Sequence, residues 1–462
     1  MARPELEALA HWVASVGVDV DDARLRERLF ATMLDWSTAL IAGVGHPLFE
    51  TYKHALITPG ESGWASLAGL PIKQPAAAAV AFNAAVSHLH EVDDAHRAST
   101  SHPGITVIPV VMMLAELEGL DAHTAASAIV AGFETTIRVG SHLGAEHYAV
   151  SHTTATAGSF GAAAAAARAL GLNARQTLWA LGHAGTQASG LWQFLDDKAT
   201  AAKAFHVATA VRNGLASARM AQAGIPGAEH ILEGPRGMRR AWKLEGCDVA
   251  WLTPGDTPMI HDVTIKGWPV CGQMHSALDC ARALFERAPE RCRQARRVRI
   301  ELPASALAIA GITEPENLAE AKFSTVFCIS AMLCGRAPDF LGFSQELLED
   351  PTIRRFMRRV EIVESAEFTA RFPRERPARV VLENDEGEMV VEERSLRRGD
   401  PEAPWSRAEL ESRASGVLSL AICELDTAAL VNWCEALAAQ SDSWSAQGLF
   451  AMIPHVAGEE RS

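Results

Sequence analysis

The feature that most constrains this chain is the stretch Gly158-Ser-Phe-Gly161, then six alanines from Ala162 to Ala167, then Arg168-Ala-Leu-Gly-Leu-Asn173. Alanine is the strongest helix former, and its small side chain lets neighbouring helices approach the backbone closely. The run therefore predicts a close-packed helix ended by Gly171 and Asn173, an architectural element with no chemistry of its own.

The rest of the first half is consistent with such a helix. From the start to about Arg240, apolar residues recur at helical spacing, as in Leu6-Leu9-Ala10-Val13 and Leu25-Leu29-Met33-Leu34, and no sustained strand alternation interrupts them. Residues 1–265 are expected to form an all-α domain. Near Lys266 the texture changes. Arg297 to Leu302 alternates charged and apolar residues, Arg359-Val-Glu-Ile-Val is a second short strand, and Ala378 to Glu383 can pair with Glu388 to Glu392 across Asn384-Asp-Glu-Gly387. With a helical pattern between Pro315 and Leu348, residues 266–400 read as a smaller α+β domain. Helical periodicity returns from Ser406 to Ala438 and from Trp444 to Met452, so residues 401–462 are expected to dock back on the first domain, making the α+β domain an insertion. The fold class is mainly α.

At 462 residues and 48% hydrophobic content, the chain can bury a large core in two domains. A net charge of −14 argues against nucleic acid as a partner, because a phosphate backbone needs a basic face. The eight cysteines (Cys247, Cys271, Cys280, Cys292, Cys328, Cys334, Cys423 and Cys434) contain no Cys-x-x-Cys pair, which suits reduced cytosolic thiols better than disulfides or an iron–sulfur cluster. The first residues carry acids where a signal peptide would be basic, and no apolar run is long enough to span a membrane. A cytoplasmic protein with no membrane partner is expected.

The chemistry concentrates between His88 and Pro103, where four histidines, three carboxylates and Arg97 precede the apolar segment from Ile105 to Leu114. That segment predicts a buried helix, with Pro109 tolerable only near its first turn. His102 would stand where a polar loop enters the helix. The unpaired N–H groups there favour an anionic ligand and a neutral, basic imidazole. A plainer reading makes His88, His90 and Glu91 polar residues on a helix face, with Asp93 and Asp94 capping the next element. His88-x-His90 and Asp93-Asp94 also offer metal donors. The chain lacks both a His-Glu-x-x-His helix and Cys/His zinc spacing, so no metal is expected.

Three other segments place lone polar groups in apolar surroundings. His152, in Val150-Ser-His-Thr-Thr154, precedes the alanine helix as His102 precedes its own, and the two form a candidate acid/base pair. Lys203 and His206 share one helical face by their i, i+3 spacing, where Lys203 either snorkels to solvent or faces a pocket. Lys266-Gly-Trp-Pro-Val-Cys-Gly-Gln-Met-His275 lies at the expected domain junction, with His275 in the first turn of a helix.

Taken in order, His-x-x-(acid)-x-Asp-Asp, His-Pro-Gly, a histidine before a glycine-bounded alanine helix, Lys-x-x-His and Lys-Gly-(aromatic)-Pro-x-Cys-Gly-x-x-His resemble the MmgE/PrpD family over nearly the whole chain. The resemblance implies a large helical domain, a smaller α+β lid, a homodimer and a cofactor-free site. It also implies dehydration, decarboxylation or epimerisation of small carboxylic acids. On the family's motifs the active-site roles fall on Asp93, His102, His152, Lys203, Lys266 and His275. His102 and His152 would serve as base and acid, with Asp93 orienting one imidazole. Lys203 and Lys266 would clamp a carboxylate whose charge grows during reaction. His206 and Arg97 would help bind substrate, and His275 would bind it or carry a proton. The expected activity is that of a lyase on a small anionic polycarboxylate. An epimerase or isomerase is the alternative, and a non-catalytic helical scaffold the third reading. The chain departs from the family pattern at Glu91, where Asp is usual, and at Ala95, where a hydroxyl residue is common. It departs again near Phe327, inside Ala321-Lys-Phe-Ser-Thr-Val-Phe-Cys328, where decarboxylase-like members carry a tyrosine, and in Asp196-Asp-Lys198-Ala, where a glycine is usual. These departures bear on the substrate, not on the fold.

Overall fold

A computed structural model describes residues 3–421 and 425–456. The chain divides into two compact units, one comprising Met1–Phe194, Ala202–Val263 and Leu410–Ser462, the other Leu195–Ala201 and Thr264–Glu409.

The first unit is mainly helical. Its longer helices up to residue 222 are α1 (Glu7–Ser15), α2 (Ala23–Val44), α3 (Phe49–Leu56), α4 (Ala76–His88), α5 (Gly104–Glu118), α6 (Ala122–Tyr148), α7 (Thr153–Ala169), α8 (Ala174–Gln187) and α9 (Lys203–Gln222). The alanine run forms the centre. Ala162 to Ala167 are fully buried, and α7 packs against α5, α6, α8 and α9. The close approach depends on the flanking glycines, since a Cβ on Gly161 would lie 1.7 Å from Thr136 Oγ1 and one on Gly158 2.7 Å from Thr106 Cγ2. Gly171 follows the helix end at φ +66°, as expected, whereas Asn173 begins the next helix. Its side chain accepts from Gln176 N–H at 3.0 Å in a reciprocal capping box.

Two expectations need correction. Pro109 lies in the second turn of α5, not the first, so the Ile105 carbonyl is denied its i+4 donor inside a helix buried from Gly104 to Ala115. The single helix expected from Ser406 to Ala438 is two, Arg407–Leu418 and Thr427–Ala438, the second capped by Asp426. Cys423 lies outside the described residues, and the other seven cysteines are free thiols. Among the described residues, no helix is long and apolar enough to cross a membrane.

The second unit holds a four-stranded sheet of β1 (Arg297–Leu302), β2 (Val360–Glu364), β3 (Ala378–Glu383) and β4 (Met389–Arg394), in the order β2-β1-β3-β4. β1 and β2 run parallel, with Val298 opposite Val360, and the other two pairings are antiparallel. The hairpin read from sequence is present: Val381 faces Val391, Gly387 takes φ +79°, and Asn384 Oδ1 accepts from Glu388 N–H at 2.8 Å. Strict alternation buries Ala378, Val380 and Leu382, and the helix His275–Arg287 packs on β3 and β4.

Candidate active site

The loop from Leu89 to Pro103 is held from several sides. At its start α4 ends on His88, and Glu91 takes φ +60°, a left-handed conformation uncommon for a residue with a long side chain. In the middle, the Val92 carbonyl accepts from Arg413 Nη2 at 2.6 Å, and Arg413 is itself paired with buried Asp35 at 2.7 Å. Near the end, His96 N–H donates to the Ser101 carbonyl at 2.8 Å, and His96 Nδ1 accepts from Ser99 N–H at 3.1 Å.

The adjacent aspartates part company. Asp94 caps α5, accepting from Gly104 N–H at 3.0 and 3.1 Å. The helix terminus proposed for an anionic ligand is therefore occupied by the chain's own carboxylate, and the plain capping role holds for Asp94. Asp93 turns the other way and meets two imidazoles. Its Oδ1 lies 2.9 Å from His88 Nδ1, and its Oδ2 lies 2.9 Å from His102 Nδ1. Orientation of a single imidazole was expected; one carboxylate serves two.

This arrangement fixes the proton on His102. Its Nδ1 is 2.6 Å from the Asp94 carbonyl oxygen, which is the better aligned hydrogen bond, with Asp93 Oδ2 beside it at ion-pair distance. Neither oxygen can donate if Asp93 is ionised, so Nδ1 carries the hydrogen, and in the neutral ring Nε2 presents a lone pair. The His102 backbone N–H donates to Thr154 Oγ1 at 3.2 Å, tying the loop to the first turn of α7. His102 keeps 15% side-chain exposure while His88 has none, so His102 is the member of the trio open to a ligand.

His152 is the N-cap residue of α7, and its backbone N–H donates to the Gly190 carbonyl at 2.8 Å. Its ring lies 6.4 Å from that of His102, 4.7 Å from Trp192 and 5.5 Å from His206. Burial, followed by the charge of Lys203 and the neighbouring imidazoles, holds His152 well below the usual histidine range. Desolvation is the largest cause, and it disfavours the charged form of this ring. His152 Nδ1 shares a hydrogen with His206 Nδ1 at 3.3 Å, and its Nε2 is buried with no hydrogen-bond partner among the described residues. Such an atom calls for a ligand or water. His206 is pushed down to about 4 by burial and by Lys203.

Lys203 does not snorkel. It is 5% exposed, and its Nζ donates to both oxygens of Glu91 at 2.6 and 2.7 Å. Glu91 Oε1 is also 3.6 Å from His88 Nε2, beyond hydrogen-bond length. The plain reading of His88 and Glu91 as helix-face residues is thereby overturned, since both are buried at the centre of the cluster. His90 leaves it, its Nε2 lying 3.1 Å from the Ala42 carbonyl oxygen. Among the described residues no three His, Cys, Asp or Glu side chains are grouped so as to hold a metal ion, and the oxygens of Asp93 are engaged with imidazoles. Arg97 is half-buried on the same loop.

Lys266 and His275 belong to the second unit. Lys266 is fully buried. His275 begins its helix, as expected, with Nε2 3.0 Å from the Val270 carbonyl oxygen, and burial, with the charges of Arg397 and Lys266, pushes it down to about 3. Phe327 is fully buried and packs edge-on to Phe343 at 6.3 Å. Sequence reasoning missed the central places of His88, Glu91 and Trp192. The spacing His88-x-x-Glu91-x-Asp93 was the available signal for the first two.

A helical unit built on an alanine helix, with buried imidazoles and carboxylates at the entries of two helices, defines a mainly α protein whose cluster is equipped to handle protons. The chain belongs to the MmgE/PrpD family: residues 7–245 match the MmgE/PrpD N-terminal domain and residues 268–421 the MmgE/PrpD C-terminal domain. It is similar to a cis-aconitate decarboxylase of Aspergillus terreus, 25% identical over 412 residues and covering 83% of each chain. A cis-aconitate decarboxylase of Homo sapiens is 25% identical over 313 residues, 63% of this chain and 62% of the relative. A cis-aconitate decarboxylase-like protein of Aspergillus oryzae is 30% identical over 237 residues, 49% of this chain and 48% of the relative.

Proposed function

We propose that this chain is a lyase acting on a small polycarboxylic acid, by decarboxylation of an aconitate-like acid or dehydration of a citrate-like one, through proton transfer by its own side chains. The observation that carries the reading is the fixed tautomer of His102: with Nδ1–H turned to Asp94 and Asp93, Nε2 is a base of set direction, and the His152 ring lies 6.4 Å away. In dehydration His102 takes the α-proton, the C–O bond breaks, and the acid partner protonates the departing hydroxide. In decarboxylation the C–C bond to the leaving carboxylate breaks, its electron pair stays on carbon, and His102, protonated at Nε2, supplies the proton. Both routes develop negative charge that spreads into a remaining carboxylate and is met by a cation. Lys203 can supply that charge only while shared with Glu91, so the two act as one ligand-binding unit. Arg97 and His206 assist, and Lys266 and His275 are assigned as substrate ligands on the family motif alone. The names of the relatives support decarboxylation over dehydration.

The test is proton exchange in heavy water with aconitate-like, citrate-like and iminosuccinate-like acids. Deuterium uptake with loss of carbon dioxide or water supports the lyase. Uptake with inversion and no elimination moves the chain to an epimerase. No exchange with any acid refutes the reading.

A further inference from the structure

His88 carries no role in the reaction as derived so far, yet its side chain is fully enclosed. Asp93 offers one oxygen to His88 Nδ1 at 2.9 Å and the other to His102 Nδ1 at 2.9 Å. A carboxylate that is donated a hydrogen bond at one oxygen has less charge to give at the other. Its orientation is also fixed, because rotation about the Cβ–Cγ bond would break both contacts at once.

We propose that His88 is a positioning residue: by donating from Nδ1 to Oδ1 of Asp93 it holds Oδ2 beside His102 and limits the charge that His102 feels, and so sets the basicity of His102 Nε2. The proposal rests on the reading of His102 as the base. The groups facing this trio come from every side. Glu91, Asp93, Asp94 and Arg97 lie on the loop after α4, His152 stands at the start of α7, and Lys203 and His206 lie on α9. Arg28 of α2 is near enough to Asp94 for their charges to interact, and Arg413 reaches the Val92 carbonyl. Of these groups, His88 and His102 lie at ion-pair distance from Asp93. His88 Nε2 faces Glu91, whose Oε1 is 3.6 Å away, beyond hydrogen-bond length.

Two amides separate the function of the two ring nitrogens. In His88→Asn the amide nitrogen stands near the place of Nδ1 and keeps the donor to Asp93. In His88→Gln it reaches toward the place of Nε2 and Glu91, and the donor to Asp93 is lost. The His102 imidazole is followed by NMR titration of the purified, ligand-free protein carrying isotope-labelled histidine, with His102→Gln identifying its signal. His88→Gln is expected to raise the His102 titration midpoint by about one pH unit, in the range that a nearby opposite charge commonly produces, while His88→Asn leaves it near wild type. The acidic limb of kcat/KM for proton exchange should move the same way, because a base that holds its proton to higher pH is active only above that pH. A role confined to packing would lower activity without moving either midpoint. Equal titrations in both variants, whether shifted or not, overturn the proposal. If wild-type protein exchanges no proton with any of the acids, the lyase reading fails by itself, and the NMR titration still decides whether His88 governs His102.

Discussion

The ion pair between Glu91 and Lys203 makes the most demanding prediction. Both residues are 5% exposed, and Nζ meets the two carboxylate oxygens at 2.6 and 2.7 Å. From sequence alone, Lys203→Ala would be expected to leave the protein folded, on the reasoning that a solvated or pocket-facing lysine adds little to stability. Burial reverses that expectation. An exposed pair is worth about 0–1 kcal/mol, but removing one partner of a buried pair leaves an uncompensated charge and costs about 3–5 kcal/mol. Removing both charges removes the desolvation penalty with them, and such replacements are often neutral or stabilising. Lys203→Met and Glu91→Gln should therefore each destabilise by roughly 3–5 kcal/mol. The double variant should lie closer to wild type than either single one. Equilibrium urea denaturation of the four proteins, read by circular dichroism with the slope checked for constancy, gives the coupling energy directly. Single effects below about 1 kcal/mol, or a double effect equal to the sum of the singles within about 0.5 kcal/mol, would refute the account of a buried, mutually dependent pair.

Four further outcomes are expected. His102→Gln and His152→Gln should each lower kcat by about 10²–10⁴-fold, the usual range for a general acid or base, with helical circular dichroism unchanged; near-normal turnover in either removes it from the mechanism. Arg413→Met should leave Asp35 buried without its cation and release the Val92 carbonyl, costing about 3–5 kcal/mol in urea unfolding and lowering kcat because the loop carrying Asp93 loses its anchor. Gly161→Ala should destabilise by about 1–3 kcal/mol through overpacking against Thr136, checked by thermal unfolding. Stability should fall as pH drops from about 6.5 to about 4, because burial holds His147 and His206 down to about 4 while the unfolded chain binds protons at the ordinary 6.5. The unfolded state then binds more protons than the folded one, so unfolding free energy rises with pH across that window, and His147→Phe should flatten the slope by up to about one proton in urea titrations between pH 4 and 7.

What could be read from the sequence was whatever depends on near neighbours. The alanine helix, the Asn384–Gly387 hairpin and the entry positions of His102 and His152 are written in consecutive residues, because helix propensity, turn chemistry and strand alternation act over a few positions. The family motif extends that reach by supplying an order of segments, and it points to the same His102 and His152, whose rings lie 6.4 Å apart. Pairings set by tertiary packing left no such trace. Lys203 and Glu91 are 112 positions apart, and a lysine flanked by alanine and phenylalanine reads equally well as a snorkelling side chain.

The division of labour among adjacent residues was hidden for a different reason. His88 and His90 are equally polar in the sequence, but α4 ends at His88 and Glu91 takes a left-handed backbone; one ring enters the cluster and the other meets the Ala42 carbonyl. Asp93 and Asp94 differ in the same way: the chain bends at Asp93, and Asp94 reaches the α5 terminus while Asp93 meets His88. A carboxylate at that terminus satisfies a backbone donor wherever it occurs, whereas a carboxylate facing two imidazoles needs a particular fold to bring them together. The capping role of Asp94 was therefore open to local reasoning. Asp93's hold on both His88 and His102 exists only because α4, the loop and α5 converge, and the strained backbone of Glu91 is the local sign of that convergence.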